Sequence, residues 1–280
     1  MKAKDLVSGE VYIVSPNDTI AHVRNMFMKH KITRLLVHDE KPVGVITQKD
    51  LVNALFSERS NTDAMRVSDA MTKKVLSVDA EEPVTRLART MVLGKVSGLV
   101  VQEKGKVIGE VTKRDLVKYF AEKYRGEAQV RDVMTKEVKT ISESQSVLQA
   151  AKLMKKYGVG RLVVMNGKEI SGIISESDVS MFQGKTRPTM VTFVRKTLTG
   201  LARRKTRSYP ATVGEIMRKN VVTVKEDADA AAAARLMLDK KIGSLVVVKN
   251  GSLKGIVSKT DIVKCLAMKP TEQESAPASL

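Results

Sequence analysis

Apolar residues recur at helical spacing in four separate stretches of the chain. A helix with one buried face repeats its apolar positions at i, i+3, i+4 and i+7. The positions that follow this spacing are Ile20, Val23 and Phe27; Val84, Leu87, Ala88 and Met91; Val147, Ala150, Ala151 and Met154; and Ala230, Ala233, Ala234 and Met237. The pattern predicts four amphipathic helices, each burying one side.

Each of these helices lies between extended segments. Short apolar segments precede them at 11–14, 75–78, 138–141 and 221–224. Two apolar runs follow, joined in two cases by Asn166-Gly167 and Asn250-Gly251. Asn-Gly between apolar runs is the strongest short signal for a hairpin. A second helix then follows, for example over 49–56 and 259–268, so each unit is predicted to be strand, helix, strand, strand, helix. The fold class is mixed α/β (α+β).

Every unit ends in the same seven-residue motif. It reads Gly, two mostly apolar residues, Thr or Ser, two variable positions, and Asp. The copies occupy 44–50, 109–115, 172–178 and 255–261. A recurring period indicates one supersecondary unit used several times. The four units are expected at 1–60, 61–125, 126–183 and 210–270, with a basic linker or insertion at 184–209 and a disordered tail at 271–280.

Each unit also begins in a recognisable way. The openings are 67–72, 130–135 and 213–218, with a weaker version at 3–8. Two of them end in Met-Thr and one in Met-Arg.

The Thr/Ser-x-x-Asp part of the motif has two interpretations. It is typical of a capping box, in which the hydroxyl and the carboxylate satisfy backbone N–H groups at a helix start. A helix cap alone does not require a Gly at the same offset in every copy. It also does not explain why neither Asn nor Glu occurs at the two capping positions in any of the four copies. A carboxylate at such a turn can also bind both hydroxyls of a ribose. The N–H groups and nearby cations of a helix start suit a phosphate.

The net charge of +18, from 49 Lys and Arg against 31 Asp and Glu, is unusual for 280 residues. It indicates either an anionic partner or a solvated, lysine-rich surface. Aromatic residues are 4% of the chain with no Trp, which argues against a single-strand nucleic-acid platform built on stacking.

Other features of the composition narrow the function. One cysteine, Cys265, excludes an internal disulfide framework and fits the cytoplasm. No apolar run reaches the ~18 residues of a membrane span, and the N-terminus has no signal-peptide core. His22, His30 and His38 have no partners at metal-ligand spacing. Because no catalytic triad, Walker loop or dinucleotide fingerprint is evident, the sequence predicts neither an enzyme nor a metal site.

The basic linker contains no acidic residue between 183 and 209. Val191, Val194, Leu198 and Leu201 keep helical spacing after Pro188. A basic amphipathic helix can bind nucleic acid, an anionic membrane or a partner protein; the alternative is a linker helix packed on the domains. The residues expected to contact nucleic acid are Lys185, Arg187, Arg195, Lys196, Arg203, Arg204, Lys205 and Arg207.

The four in-register motifs, the openings and the order of elements resemble the cystathionine-β-synthase (CBS) domain family. The resemblance covers nearly all of the chain except 184–209 and the tail. It implies that the units pack face to face as two pairs, each with a pseudo-twofold axis and two clefts. The two pairs together would form a disc-like assembly. The clefts would bind adenosine-containing ligands such as AMP, ADP, ATP or S-adenosylmethionine. In the family the Asp binds the ribose, the Thr or Ser contacts ribose or phosphate, the residue after Gly lies near the base, and a basic residue before the second strand reaches phosphate.

Carried over residue by residue, the resemblance gives unequal nucleotide sites. The first unit has Arg34, Val45, Thr47, Lys49 and Asp50; the third has Arg161, Ile173, Ser175 and Asp178; the fourth has Ser244, Ile256, Ser258, Lys259 and Asp261; the second keeps Thr112 and Asp115. Glu176 would oppose a highly charged phosphate tail. The second unit departs most, with Glu110 at the base contact and Gly98 in place of the arginine. The expected order of clefts is one, three, four, two.

The function implied is a stand-alone regulatory protein without catalysis. An adenine nucleotide would be its regulatory ligand, with no cofactor required, and an unknown effector protein would receive the signal. The alternative is a nucleic-acid-binding protein, RNA ahead of DNA, that uses the basic surface and residues 185–207, with the CBS pairs as scaffold or switch. Whether the two pairs assemble within one chain or through a homodimer stays open.

Overall fold

The computed structural model describes residues 1–7, 11–56, 62–182, 190–196, 202–208 and 211–270. The first unit contains β1 (Ile13–Val14), α1 (Ile20–His30), β2 (Arg34–Asp39), β3 (Lys41–Thr47) and α2 (Gln48–Ala54). The second contains α3 (Val67–Ala70), β4 (Ser77–Asp79), α4 (Val84–Leu93), β5 (Gly98–Glu103), β6 (Lys106–Thr112) and α5 (Lys113–Lys123).

The second half of the chain repeats this order. The third unit contains α6 (Val130–Val133), β7 (Thr140–Ser142), α7 (Val147–Tyr157), β8 (Arg161–Asn166), β9 (Glu169–Ser175) and α8 (Glu176–Met181). Strands β10 (Met190–Lys196) and β11 (Ala202–Ser208) come next. The fourth unit contains α9 (Val213–Ile216), β12 (Thr223–Lys225), α10 (Ala230–Asp239), β13 (Ser244–Lys249), β14 (Ser252–Ser258) and α11 (Lys259–Ala267). Short 3₁₀ turns cover Ala3–Asp5 and Thr62–Ala64.

All four units share one sheet topology, which confirms the predicted order of elements. Each sheet has three strands, the first parallel to the second and the second antiparallel to the third. The hairpin of the fourth unit turns at Asn250 and Gly251, whose φ angles of 51° and 75° suit the two-residue turn that Asn-Gly favours. The first strand of each unit begins about two residues later than predicted, because the first residues of the predicted segment do not pair with the central strand.

The predicted apolar stripes are buried at every position. All of the apolar residues that defined the four stripes are at most 5% exposed. Burial of this kind contributes roughly 1.5–3 kcal/mol for each large side chain. The helices α1, α4, α7 and α10 are therefore held to their sheets by the faces that the sequence predicted.

The opening segment of each unit packs on the other unit of its pair, an exchange that the sequence did not predict. Thr72 and Val45 exchange two backbone hydrogen bonds of 2.9 Å, and so join the second unit's opening to the first unit. The fourth unit's opening pairs Arg218 with Ile173 in the same way, and the third unit's opening reaches the fourth. Ala3 lies in the core of the second unit. Units one and two, and units three and four, are thus reciprocally linked pairs.

The two pairs meet helix to helix within one chain. Helix α2 of the first unit packs on α8 of the third. Helices α4 and α5 of the second unit pack on α10 and α11 of the fourth, and these two units share one hydrophobic core. The motif helices of all four units consequently approach one another at the junction of the pairs.

The predicted linker helix is wrong. Strands β10 and β11 form an antiparallel hairpin in which Met190 pairs with Ser208 and Lys196 with Ala202. The run from Val191 to Val194 contains β-branched and aromatic residues, which favour strands. Leu198 and Leu201, the other two residues of the predicted helical spacing, lie outside the described residues. Lys185, Arg187 and the predicted tail at 271–280 lie outside the described residues.

Candidate ligand site at the motif helices

The motif forms a capping box in every unit. In each, the Asp Oδ2 atom accepts one hydrogen bond from the Thr or Ser backbone N–H at 2.8–2.9 Å and one from its hydroxyl at 2.6 Å. The cap starts helices α2, α5, α8 and α11. The capping interpretation is therefore confirmed in all four copies. It engages one carboxylate oxygen of each Asp, so what the other oxygen contacts decides what else the motif can do.

In three units the second oxygen of the motif Asp contacts the exchanged opening segment. The Thr72 hydroxyl donates to Asp50 Oδ1 at 3.2 Å, and the Thr135 hydroxyl donates to Asp261 Oδ1 at 3.1 Å. Arg218 Nε donates to Asp178 Oδ1 at 3.0 Å. The equivalent residue for the second unit is Ser8, outside the described residues.

Sequence reasoning missed Thr72, Thr135 and Arg218 as neighbours of the motif. The signal was present in the recurring Met-Thr and Met-Arg ends of the openings. Those pairs were interpreted as the start of a unit, and not as part of the opposite unit's site.

The same exchange explains the motif glycine in three units. A Cβ built there would lie 2.6–2.7 Å from a Met Sδ and 3.0 Å from a backbone carbonyl oxygen of the exchanged segment. The sets are Gly44 with Met71 and Thr72, Gly172 with Met217 and Arg218, and Gly255 with Met134 and Thr135. The glycine therefore admits the opening segment beside the Asp, which a helix cap alone would not require.

In the first pair, the arginine expected to bind phosphate forms an internal ion pair. Arg34 Nη2 lies 2.6 Å from Glu110 Oε1, with side chains only 10% and 19% exposed. A Cβ on Gly98 would lie 2.0 Å from Arg34 Nη1, so the guanidinium occupies the space that this glycine leaves. Burial raises the pKa of Glu110 while Arg34 opposes the rise. Gly98 and Glu110, two separate departures in the sequence, thus accommodate one arginine.

In the second pair, Arg161 has the equivalent place but no carboxylate partner. Its Nη1 donates to the Gly243 carbonyl oxygen at 2.7 Å. In the described part of the chain, no carboxylate oxygen lies within the 4.0 Å of an ion pair with Arg161. Burial lowers the pKa of Arg161, and the carboxylates of Glu176, Asp261 and Asp178 act in the opposite direction. Arg161 therefore lies within the electrostatic reach of both motif carboxylates of its pair.

Partly buried cations and polar side chains contact the opposite pair where the two pairs meet. Lys113 Nζ donates to Thr260 Oγ1 at 3.0 Å, and Gln48 Nε2 donates to Ser177 Oγ at 3.2 Å, so both contacts cross between pairs. Burial lowers the pKa of Lys113.

The fourth unit adds a further cation to this junction, and the third unit adds an acid. Burial, reinforced by Arg114 and Arg161, lowers the pKa of Lys259 to about 8. Burial raises the pKa of Glu176, and the nearby Lys49, Arg161 and Lys113 oppose it. The junction thus brings several cations and an acid together, and their partial burial strengthens the interactions between these charges.

The other predicted contacts occupy varied surroundings. Val45 belongs to an apolar cluster with Leu36 and Val100 between the first two sheets. Ser244 is buried, Ile173 and Ile256 are half-buried, and Lys49 is exposed at the start of α2. The predicted site residues are thus brought to the pair interfaces and to the junction of the pairs.

The fold and site together define a repeat protein made of exchanged β-α-β-β-α pairs with a capped carboxylate in every unit. A family model described as CBS domain matches residues 3–57, 67–122, 130–183 and 213–268. The chain belongs to the CBS domain family.

The chain is similar to several archaeal proteins, and it spans about three fifths of the length of the first of them. The chain is 27% identical over 273 residues to the uncharacterized protein MJ1404 of Methanocaldococcus jannaschii, covering 94% of this chain and 61% of that one. The crystal structure of MJ1225 from the same organism matches with a TM-score of 0.78 at 21% identity, over 95% of this chain and all of that one. An uncharacterized conserved protein from Pyrococcus horikoshii matches with a TM-score of 0.65 at 20% identity, again over 95% and 100%. These structures share the fold.

Among the described residues, every helix is too short or too polar to span a bilayer. The same part of the chain has no group of three or more His, Cys, Asp or Glu that could hold a metal ion.

Proposed function

We propose that this protein binds an adenosine-containing ligand in the clefts of units three and four and passes the signal to a separate effector protein. The observation that carries the proposal is Arg161, a half-buried guanidinium whose hydrogen-bond partner is a backbone carbonyl and which lies within electrostatic reach of the Asp178 and Asp261 carboxylates. This combination offers hydrogen-bond acceptors to a ribose and a cation to a phosphate. It provides no nucleophile or general acid–base pair, so the role proposed is regulatory.

The contacts of the motif Asp suggest how binding would be transmitted. Each Oδ1 atom that a ribose hydroxyl would contact already accepts from an exchanged opening segment, namely from Arg218 at Asp178 and from Thr135 at Asp261. A ligand must share or displace those donors, and the donors belong to the opposite unit. Binding would therefore favour one arrangement of the paired units, which is the thermodynamic requirement for a ligand-driven switch.

Calorimetric titration with AMP, ATP and S-adenosylmethionine tests the proposal. We expect binding by the wild-type chain and a loss of about tenfold or more in affinity for Asp178→Asn and for Asp261→Asn, since a hydrogen bond to a charged group is worth about 1.5–3 kcal/mol. Asp115→Asn is the matched control, because it alters the same cap in the unit with the poorest cleft. Absence of binding at millimolar ligand would refute the proposal, as would equal losses in all three variants.

The pKa of Lys259 predicts how binding depends on pH. Its ammonium, with a pKa of about 8, is charged below that pH and neutral above it. If it faces the ligand's phosphate, affinity for AMP should fall as pH rises from 7 to 9, while affinity for adenosine should stay constant. Lys259→Met should remove the difference. Calorimetry at several pH values measures this, and a parallel response of AMP and adenosine would contradict it.

A second candidate function is binding of nucleic acid through the hairpin. Strands β10 and β11 contain six Lys and Arg and no acid, and their register places Arg195 opposite Arg203. Like charges directly opposite each other destabilise a strand pair. A bound anion would therefore stabilise this hairpin. Gel-shift titration of a transfer RNA at two salt concentrations tests it, because phosphate contacts weaken steeply with salt. If a variant with neutral residues at Arg203, Arg204 and Lys205 still binds the RNA, the hairpin is not the binding site.

A further inference from the structure

The two pairs can be compared position by position, because their registers are the same. Arg34 begins β2 opposite Thr47, and Arg161 begins β8 opposite Ser175. Glu110 lies opposite Val100 in the second unit, and Ile256 lies opposite Val246 in the fourth. Each pair therefore has one arginine in its first unit and, at the matching place of its second unit, either Glu110 or Ile256. The pairs also differ at Gly98 against Ser244 and at Gln48 against Glu176, but the difference between Glu110 and Ile256 decides whether a carboxylate contacts the arginine directly.

The surroundings of Arg34 are those of a filled anion site. Glu110 Oε1 lies 2.6 Å from Arg34 Nη2, so the two side chains form a close ion pair. Gly98 leaves the volume into which the guanidinium fits. The Nε atom of Arg34 is buried and has no hydrogen-bond partner among the described residues. The guanidinium is thus held in place by one carboxylate, which provides the negative charge that a ligand phosphate would otherwise bring.

Displacing this carboxylate would be unfavourable. A ligand phosphate bound to Arg34 would leave Glu110 buried beside a second negative group, and an uncompensated buried charge is strongly destabilising. In the third and fourth units no carboxylate has to leave the arginine, because Ile256 is neutral and the hydrogen-bond partner of Arg161 is a backbone carbonyl. Glu176 acts on Arg161 from farther away and is the one acid of this pair, beside the motif aspartates, that a phosphate would face.

We propose that Glu110 is a built-in anion that occupies the phosphate-binding arginine of the first pair, so that phosphorylated adenosine ligands bind only to the pair formed by units three and four. This inference rests on the proposed function, and it specifies where and with what chemistry that function operates. The first pair is then a scaffold that carries an internal substitute for the ligand's phosphate. It also reverses the order expected from the sequence, in which the cleft of the first unit ranked first.

A reciprocal exchange of the two side chains tests the inference by calorimetry with AMP. Glu110→Ile gives the first pair the neutral residue of the second, and should add one AMP site per chain to the wild-type stoichiometry. Ile256→Glu places a carboxylate at the matching position of the second pair, and should lower its AMP affinity by tenfold or more. Should Glu110→Ile fail to fold, Glu110→Gln keeps the shape and removes the charge. Circular dichroism verifies that each variant is folded.

The outcomes separate this inference from the proposed function. The double variant Arg34→Met with Glu110→Ile removes both charges, and should bind AMP with unchanged affinity and stoichiometry. A folded Glu110→Ile or Glu110→Gln variant without an additional site would overturn the inference even if the wild type binds AMP. If the wild type binds no AMP and Glu110→Ile or Glu110→Gln acquires a site, the proposed function fails while the assignment of Glu110 as a built-in anion holds. If neither protein binds AMP, both fail.

Discussion

Replacing Arg34 with methionine is expected to lower the free energy of unfolding by about 3–5 kcal/mol, the usual cost of breaking a buried ion pair by removing one partner. The loss follows because Glu110 stays behind with a side chain only 19% exposed. Methionine fills a similar volume, so the effect reports the unpaired carboxylate and not a cavity. Urea unfolding at neutral pH, followed by circular dichroism, measures it.

The double variant Arg34→Met with Glu110→Ile is the control for this prediction. Replacing both members of a buried pair by apolar residues is often neutral or stabilising, so it should regain most of the lost stability. The free energy of unfolding of Arg34→Met alone could instead lie within about 1 kcal/mol of the wild-type value. That result would contradict a buried, coupled ion pair, since such small effects are typical of exposed salt bridges.

The pH dependence of the Arg34→Met variant follows from the pKa of Glu110. Burial already raises this pKa in the wild type, and Arg34 restrains it, so losing Arg34 should raise it further. A carboxyl whose folded pKa exceeds its unfolded value of about 4.3 binds its proton more tightly when folded. Stability then decreases as pH rises through the window between the two pKa values. The deficit of the variant should therefore shrink on acidification from pH 7, and a deficit independent of pH would contradict this cause.

The second large effect is expected at the motif glycine of the third unit. A Cβ on Gly172 would lie 2.6 Å from Met217 Sδ and 3.0 Å from the Arg218 carbonyl oxygen. Met217 can rotate, but the carbonyl belongs to a backbone hydrogen bond with Ile173. Gly172→Ala should therefore displace the exchanged segment and cost about 1–3 kcal/mol, as overpacking typically does. Thermal unfolding measures the loss.

Gly214→Ala is the matched control, because Gly214 lies in helix α9 of the same exchanged segment. A Cβ there would meet Glu143 atoms at 3.4–3.9 Å, which is ordinary contact. Alanine is also the better helix former by about 1 kcal/mol, so this variant should be neutral or slightly more stable. Equal losses at both glycines would show that the exchanged segment tolerates neither side chain, and that the close approach at Gly172 is not the cause.

The sequence predicted what depends on local periodicity. The stripes at Ile20–Phe27 and at the equivalent positions of the other units were confirmed because buried helix faces repeat at a fixed spacing. The caps at Thr47 and Asp50, and at their three counterparts, were confirmed because a capping box spans four residues.

What the sequence did not predict depends on which unit packs on which. The contact of Thr72 with Asp50 joins residues of different units, and nothing local states that an opening segment crosses to its neighbour. The resemblance to the CBS family assigned Arg34 to phosphate, and no local pattern indicated its partner, Glu110, which lies 76 positions away in the chain. The linker was predicted to be helical because four apolar residues matched a helical spacing, although the β-branched run at 191–194 favoured a strand.

The central claim is that an adenosine-containing ligand occupies the clefts of units three and four. Mass spectrometry of the intact native protein, equilibrated with AMP, tests it most directly because it counts bound ligands on each chain. The account predicts AMP adducts on the wild type, the same adducts on Arg34→Met with Glu110→Ile, and none on Asp178→Asn with Asp261→Asn. A wild-type chain without adducts at millimolar AMP, or adducts that survive the loss of both aspartates, would contradict it.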